Sequence, residues 1–446
     1  MADQFAEALR GYIDAQEVSK NQIIRESGID RSSFFQYLNG RRMPGYWKMR
    51  KIAQAIGLSL QDRMKLERLY YRERSGEQFL HENDAALNCI RIMAGEEDSV
   101  EERGSRIRER LLREIRRALS EGSLELDLCV PSDDRSFYNS LCRLMREREG
   151  GFQIRQIFRY PKKEGEDDVR AQEDFSNALK LATSAARGYE ACYIPDTGEN
   201  GDSGILFPYS ARINGRAFIF NHTSMIEIDD QKTIGDIREQ FSSCLRESRR
   251  MIHSFHNVAD YLTDFSRFWK KGDQNTATAF LSDIFCTAGI ADEDLIRRYT
   301  PPQAYNLLLA YVSETQRRLP CTEYVSVSGL AQFMKDGKIY DIPAPSPLVA
   351  APQDRVRILR KIREGLGSRY YLYDTHGLFD MKRWNISVIE GESVLLYRCP
   401  EMRLVEIDEP AIIRTFSHFI MRFAETFFII PPWEAEGVID RIIQDV

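Results

Sequence analysis

The chain has 446 residues, 43% of them hydrophobic and 29% charged, which is the balance of a globular protein of about two or three domains. Residues 1–74 hold 14 of the 62 Lys and Arg and 9 of the 68 Asp and Glu, so this segment is positive and the remainder is acidic. No apolar run approaches the ~20 residues of a membrane helix: the longest, Phe423 to Ile430, is cut by Glu425 and stopped by Pro431-Pro432. The opening Met-Ala-Asp-Gln lacks the basic and apolar regions of a secretory signal, so a cytoplasmic protein with no membrane partner is expected.

The N-terminal segment predicts five short helices. Residues 3–15 place Phe5, Ala8, Leu9, Tyr12 and Ile13 at helical spacing. Ser19 can cap a second helix, Lys20 to Glu26, which Ser27-Gly28 ends. Asp30 can cap a third, Arg31 to Leu38, which Asn39-Gly40 ends. A fourth runs from about Tyr46 to Ala55 before Gly57, and a fifth starts near Ser59. Two helices joined by a Gly-containing turn make a helix-turn-helix unit. Ile23, Ile24, Phe34, Leu38, Ile52, Ala53 and Ile56 are its expected core, while Arg31, Ser32, Ser33 and Gln36 leave one face of the third helix polar.

The run Ile29-Asp30-Arg31-Ser32-Ser33-Phe34-Phe35-Gln36-Tyr37-Leu38-Asn39-Gly40-Arg41-Arg42-Met43-Pro44 resembles the recognition helix and following loop of the Cro and phage-repressor (XRE) regulators. Lys51-Ile52-Ala53-Gln54-Ala55-Ile56-Gly57-Leu58-Ser59 resembles that family's fourth helix and turn. The likeness covers residues 1–74 only. It implies that the third helix enters the major groove of double-stranded DNA, with Arg31, Ser32 and Gln36 at base edges and Ser33 on the same DNA-binding face. It places Asn39, Arg41 and Arg42 near phosphates. Lys20 stands where the family often has Gln, and Ile24 where a small residue is usual; a lysine there still suits a phosphate.

The residue chemistry agrees. Arg pairs with guanine and Gln with adenine through two hydrogen bonds. The cations from Lys20 to Lys51, Lys48 among them, suit a polyanion. A helical protein–protein module with a solvated basic face is the alternative. One such domain makes few base contacts, so a homodimer on two half-sites is expected.

Residues 75–105 are polar around a short helix, Ala85 to Met93, and suggest a connector. From Arg106 onward a helix, a strand at Leu124–Val130, a helix at Phe137–Arg148, a strand at Phe152–Tyr160 and a helix at Gln172–Ala186 alternate, which argues for an α/β layer with parallel strands. Asn214-Gly215 between apolar runs marks a hairpin. A long helix, Ile234 to Trp269, is expected to follow, then a mostly helical connector over 275–345 with a linker at Pro343 to Pro347, and strand residues at Tyr370–Tyr373.

An internal similarity links Ile213 to Phe220 with Ile389 to Leu396, and Met225 to Asp230 with Leu404 to Glu409. The expected fold class is therefore multidomain: an all-α helix-turn-helix domain (1–74), a connector (75–105), then a mixed α/β region. That region divides into a first module (106–274), a helical connector (275–345) and a second, shorter, related module (346–446).

Paired α/β modules of this kind resemble the phospholipase-D-like fold by analogy alone. Its catalysis needs His-x-Lys, and none of His81, His222, His253, His256, His376 and His418 has Lys two positions on. No phosphate-binding Gly-rich loop or nucleophile elbow is present. The eight cysteines form no Cys-x-x-Cys pair, and His253 with His256 lacks a third ligand, so no metal or cofactor is expected. Asp133-Asp134 follows the strand at 124–130, where α/β sheets hold ligands, but Ser132 or Asp133 suits a helix cap, and Arg159-Tyr160 after the next strand suits an anion. The sequence thus predicts a DNA-binding transcription regulator and no enzyme. Its C-terminal region would dimerise and sense a small molecule or peptide. An enzyme targeted to DNA by the helix-turn-helix domain is the alternative.

Overall fold

The computed structural model describes residues 3–93, 106–130, 134–147, 151–160, 167–184, 188–195, 209–221, 223–254, 276–283, 293–299, 305–306, 309, 321–339, 348–378, 381, 383–398 and 403–445. Helices come first and a large mixed sheet follows.

The N-terminal helices are α1 (Asp3–Ala15), α2 (Lys20–Ser27), α3 (Arg31–Leu38), α4 (Tyr46–Ile56) and α5 (Leu60–Ser75). They close around a core that includes Leu9, Ile23, Phe34, Leu38, Ile52 and Ile56, with Tyr37, Tyr46 and Tyr70 also buried. Ile24 is half-buried against this core rather than inside it.

Helix α6 (Glu77–Met93) is longer than the sequence suggests, and it is no loose connector. Ala86, Cys89, Ile90, Ile92 and Met93 are buried in the same core as the C-terminal sheet. Its apolar residues are spread among Glu77, Glu82, Asn83 and Asp84, which masks the amphipathic stripe. Residues 94–105 lie outside the described residues.

The C-terminal region continues with α7 (Arg106–Glu121), β1 (Leu124–Cys129), α8 (Arg135–Arg146), β2 (Phe152–Tyr160), α9 (Asp167–Ser184), β3 (Tyr189–Pro195), β4 (Tyr209–Ile213), β5 (Arg216–Phe220), β6 (Met225–Ile228), α10 (Gln231–Glu247) and β7 (Arg249–Ser254). After these come β8 (Thr278–Ser282), α11 (Glu293–Tyr299), β9 (Cys321–Ser326), α12 (Val327–Asp336), the short pair β10 (Lys338–Ile339) and β11 (Leu348–Val349), α13 (Pro352–Glu364), β12 (Tyr370–Tyr373), β13 (Trp384–Ile389), β14 (Ser393–Arg398), β15 (Arg403–Ile407), α14 (Pro410–Met421), a 3-10 turn (Phe423–Glu425) and α15 (Pro432–Gln444).

Thirteen of these strands form one sheet, in the order β12-β9-β8-β13-β14-β15-β7-β3-β2-β1-β4-β5-β6. In the first half, β1, β2 and β3 run parallel, and β4, β5 and β6 form an antiparallel meander beside β1. In the second half, β8, β9 and β12 run parallel, and β13, β14 and β15 form an antiparallel meander beside β8. Strand β7 joins the halves, antiparallel to both β3 and β15. A matching antiparallel bridge runs from Ile429 to Tyr373 in β12.

Two expectations are corrected here. The stretch 275–345 was expected to be mostly helical, yet it supplies β8 and β9, so the second set of strands begins at Thr278. Both strands are buried on both faces and lack the alternation that marks a half-exposed strand. The long helix expected from Ile234 to Trp269 stops at Glu247. Arg249–Ser254 is instead a central strand with only Met251 and Ile252 as apolar signal. Residues 255–275, and the linker from Pro343 to Pro347, lie outside the described residues.

One face of β1, β2 and β4 carries charge. Asp127, 3% exposed, accepts from Arg155 Nε at 2.8 Å and from Arg212 Nε at 2.6 Å. A buried carboxylate needs such donors on its oxygens. At the hairpin between β4 and β5, Asn214 adopts φ +51° and accepts from the Glu125 N–H at 2.7 Å, so the turn is fastened to β1.

Candidate nucleic-acid interface

Side-chain caps set the start of α2 and α3. Ser19 accepts from the Gln22 N–H at 3.2 Å, and Gly28 closes α2 in the left-handed conformation, φ +65°. Asp30 accepts from the Ser33 N–H at 2.8 Å. The Ser33 hydrogen bonds hold the Asp30 carboxyl below its ordinary range, and the charge of Lys48 adds to this. The loop after α3 is held from inside: Tyr70 Oη donates to Pro44 O at 3.2 Å, and the Arg10 guanidinium donates to Leu38 O.

On this frame Lys20, Arg31, Ser32, Gln36, Asn39, Arg41, Arg42 and Lys48 are all exposed. Ser33 departs from the rest. It is half-buried and bonded to Asp30, so it belongs to the cap as much as to the outer face. The Arg31 guanidinium lies over the Phe35 ring, 5.7 Å from its centroid. Among the described residues, none of Lys20, Arg31, Arg41, Arg42 and Lys48 is within salt-bridge distance of a carboxylate. Free cations around a polar helix face can neutralise phosphates, while Arg31 and Gln36 have the donor and acceptor geometry that base edges require.

The basic stretch divides at α4. Arg50 and Lys51 turn toward the C-terminal region. Arg50 donates to Thr426 O at 3.2 Å and to Ile429 O at 3.4 Å. Lys51 lies 4.8 Å over the ring of Trp433, which also packs edge-on against Trp47. Glu67, 5% exposed, accepts from the Phe427 N–H at 3.0 Å and from Tyr46 Oη at 3.4 Å. Burial pushes its carboxyl up to about 8, although Arg50 acts in the opposite direction. Tyr71 Oη donates to Glu425 O, and Gln54 Nε2 donates to Glu434 at 3.1 Å. Sequence reasoning missed this contact because its two sides lie more than 350 positions apart; the cluster of Tyr46, Tyr70 and Tyr71 was its one local sign.

The other candidates resolve as follows. Asp134 caps α8, accepting from the Phe137 N–H at 2.9 Å and from Arg108 Nε at 2.8 Å. Ser132 and Asp133 lie outside the described residues, and Arg159-Tyr160 closes β2. His253 stands in β7 rather than on a helix, and His256 lies outside the described residues. Among the described residues no group of three or more His, Cys, Asp or Glu could hold a metal ion. Cys89, Cys129, Cys142, Cys192 and Cys321 are buried and form no disulfide with one another, and burial pushes Cys89 up to about 12. At the C-terminal ends of β8 and β9 a groove of about 410 Å³ is lined by Asp283, Ser328, Gln332, Asp336, Lys338 and Arg383 among others. No described helix is long and apolar enough to cross a membrane.

No family model and no curated protein matches the chain. Among solved structures, polyphosphate kinase from Porphyromonas gingivalis is similar to 70% of this chain at 12% identity, with a TM-score of 0.21. The chain spans about half the length of that kinase, 48%.

Proposed function

We propose that the chain is a sequence-specific, double-stranded-DNA-binding transcription regulator of the XRE type. Helix α3 reads the major groove through Arg31 and Gln36, with Ser32 beside them. Lys20, Asn39, Arg41, Arg42 and Lys48 grip the phosphates. The observation that carries this reading is the exposed polar face of α3 with exposed cations near it in sequence that make no salt bridge among the described residues, while Arg50 and Glu67 of α4 and α5 are the groups that meet the C-terminal region.

The C-terminal region, on this reading, is a tandem pair of related α/β modules that dimerises and senses an effector. Support comes from the order of strands. Each half has three parallel strands, a three-strand meander, a capped helix and a final antiparallel segment beside its third strand. The two stretches of sequence similarity fall at equivalent places, the hairpins β4–β5 and β13–β14 and the entries to α10 and α14, where Asp230 and Glu409 are the caps. A small polar effector would sit at the C-terminal ends of β8 and β9, the usual ligand position in open α/β sheets.

Selection of bound sequences from random DNA, repeated with Arg31→Ala and Gln36→Ala, tests the DNA reading. A defined motif is expected, relaxed at one position in each variant, by about 1–3 kcal/mol of discrimination. Identical motifs from all three proteins, or none from the wild type, would refute it.

A further inference from the structure

Strand β6 is the last strand of the sheet, and among the described residues nothing pairs with its outer edge. Its counterpart in the second half is β15, also the third strand of a meander that follows the parallel strands. There the outer edge is taken by β7, which pairs antiparallel through Ile252, His253 and Ser254. The consequence shows in burial. Val405 and Ile407 of β15 are 1% and 0% exposed, whereas Ile226 of β6 is 47% exposed and Ile228 is half-buried.

Sheet edges are usually protected by charge or cover. The one charge on β6 is Glu227, and it is drawn away by its own face of the sheet: it pairs with Arg110 at 2.7 Å and with Arg216. The opposite edge of the sheet is closed. There Ile430 N donates inward to Leu372 O of β12 and Phe428 O accepts from Asp374 N just beyond it, while Phe427 N and Ile429 O bond to Glu67 and Arg50 of the N-terminal domain. Side chains stand where a neighbouring strand would otherwise sit. Copies cannot therefore add head to tail, and the closed solution left to β6 is a twofold axis that pairs it with itself.

We propose that two copies of this chain join through β6, antiparallel edge to edge, with Ile226 and Ile228 of both copies packed on one sheet face. This rests on the regulator reading only in that a dimer serves two half-sites. The paired edge is four residues long in each copy, which is small for an interface. The dimer is accordingly weak, with dissociation expected in the micromolar range. It also places the helix-turn-helix domains at opposite ends of the joined sheet. Thirteen strands per copy at ~4.8 Å each separate them by far more than one DNA turn of ~34 Å. Half-sites several turns apart, or on two DNA segments, are the fitting target.

Sedimentation of the full chain without DNA, up to about 100 µM, is the test, because a micromolar dimer must form there. We expect the 51.8 kDa chain to reach twice its mass as concentration rises. Ile226→Lys should weaken the dimer at least tenfold, whereas Val349→Lys, at another exposed apolar site of 54%, should leave it unchanged. Hydrogen exchange in the wild type guards against a misfolded variant: the Met225–Ile228 peptide should gain protection as the dimer forms. A wild type that stays monomeric, a folded Ile226→Lys that still dimerises normally, or exchange at 225–228 that ignores concentration overturns the proposal. A dimer that selects no DNA motif would instead overturn the regulator reading and leave the β6 pairing in place.

Discussion

Glu67→Gln isolates the buried carboxyl between the two regions. In the folded chain Glu67 titrates at about 8 against an ordinary value of 4.5, with desolvation as the main cause. Arg50, facing it from α4, favours the charged form, as do the bonds from Phe427 N–H and Tyr46 Oη. Unfolded or undocked, the side chain ionises above pH 4.5; docked, it holds its proton until about pH 8. Its contribution is thus complete below pH 4.5, declines as pH rises, and is lost above about 8. At ~1.4 kcal/mol per pH unit, the loss across that window is about 5 kcal/mol. Glutamine keeps the acceptor for Phe427 N–H and cannot ionise. The expected result is near-equal stability of the two proteins at pH 5 and a growing advantage for Glu67→Gln toward pH 8. Hydrogen exchange of α4 and α5 in the full chain, at fixed ionic strength, reads the docked state directly. Every other titrating group is common to both proteins and cancels in the difference. Parallel pH profiles would refute the reasoning, since they would mean Glu67 reaches water without undocking.

Two further outcomes follow from the same geometry. Arg41→Ala and Arg42→Ala should each weaken binding to all DNA sequences alike and reduce the slope of log affinity against log salt by about 0.9, as measured by titration at several salt concentrations. Phe423→Ala should cost about 3–5 kcal/mol in denaturant unfolding, because the ring is fully buried among Tyr324, Tyr373, Phe419 and Phe428. The same variant should speed exchange in α5, which bonds to the peptide two residues further on.

The sequence was most legible where local chemistry decides the structure. Asp30, Asn39 and Gly40 bracket α3 because caps act within one turn, and Asn214-Gly215 locates a hairpin for the same reason. Strands β1, β2 and β12 stand out as apolar runs between turn residues. Where burial comes from a distant partner the pattern fails. Strands β8 and β9 are covered on both sides and show no alternation. Strand β7 begins Arg249-Arg250 yet lies between two other strands. Within the candidate site, exposure of Arg31 and Gln36 was readable from helical phase and that of Arg41 and Arg42 from their place in a polar loop, but the turning of Arg50 and Lys51 onto Thr426, Ile429 and Trp433 was not. Both lie in the same basic run as Lys48, and only the position of the C-terminal region tells them apart.

That division bears on how a sensing region could act on DNA. The docked surface of α4 and α5 meets the peptides from Glu425 to Ile429, and these continue directly from Phe423 and α14. Phe423 touches Tyr324 of β9 and Tyr373 of β12, and Tyr373 Oη donates to Ser282 O, one residue before the Asp283 that lines the polar groove. Packed rings and a single 3-10 turn therefore connect the groove to Arg50 and Glu67, the route along which a shift of β8 or β9 would be felt. Control by this route would change the hold of the N-terminal domain rather than cover the residues proposed to face DNA. Variants in the groove should alter how tightly two half-sites are bound together, while leaving recognition of a single half-site unchanged.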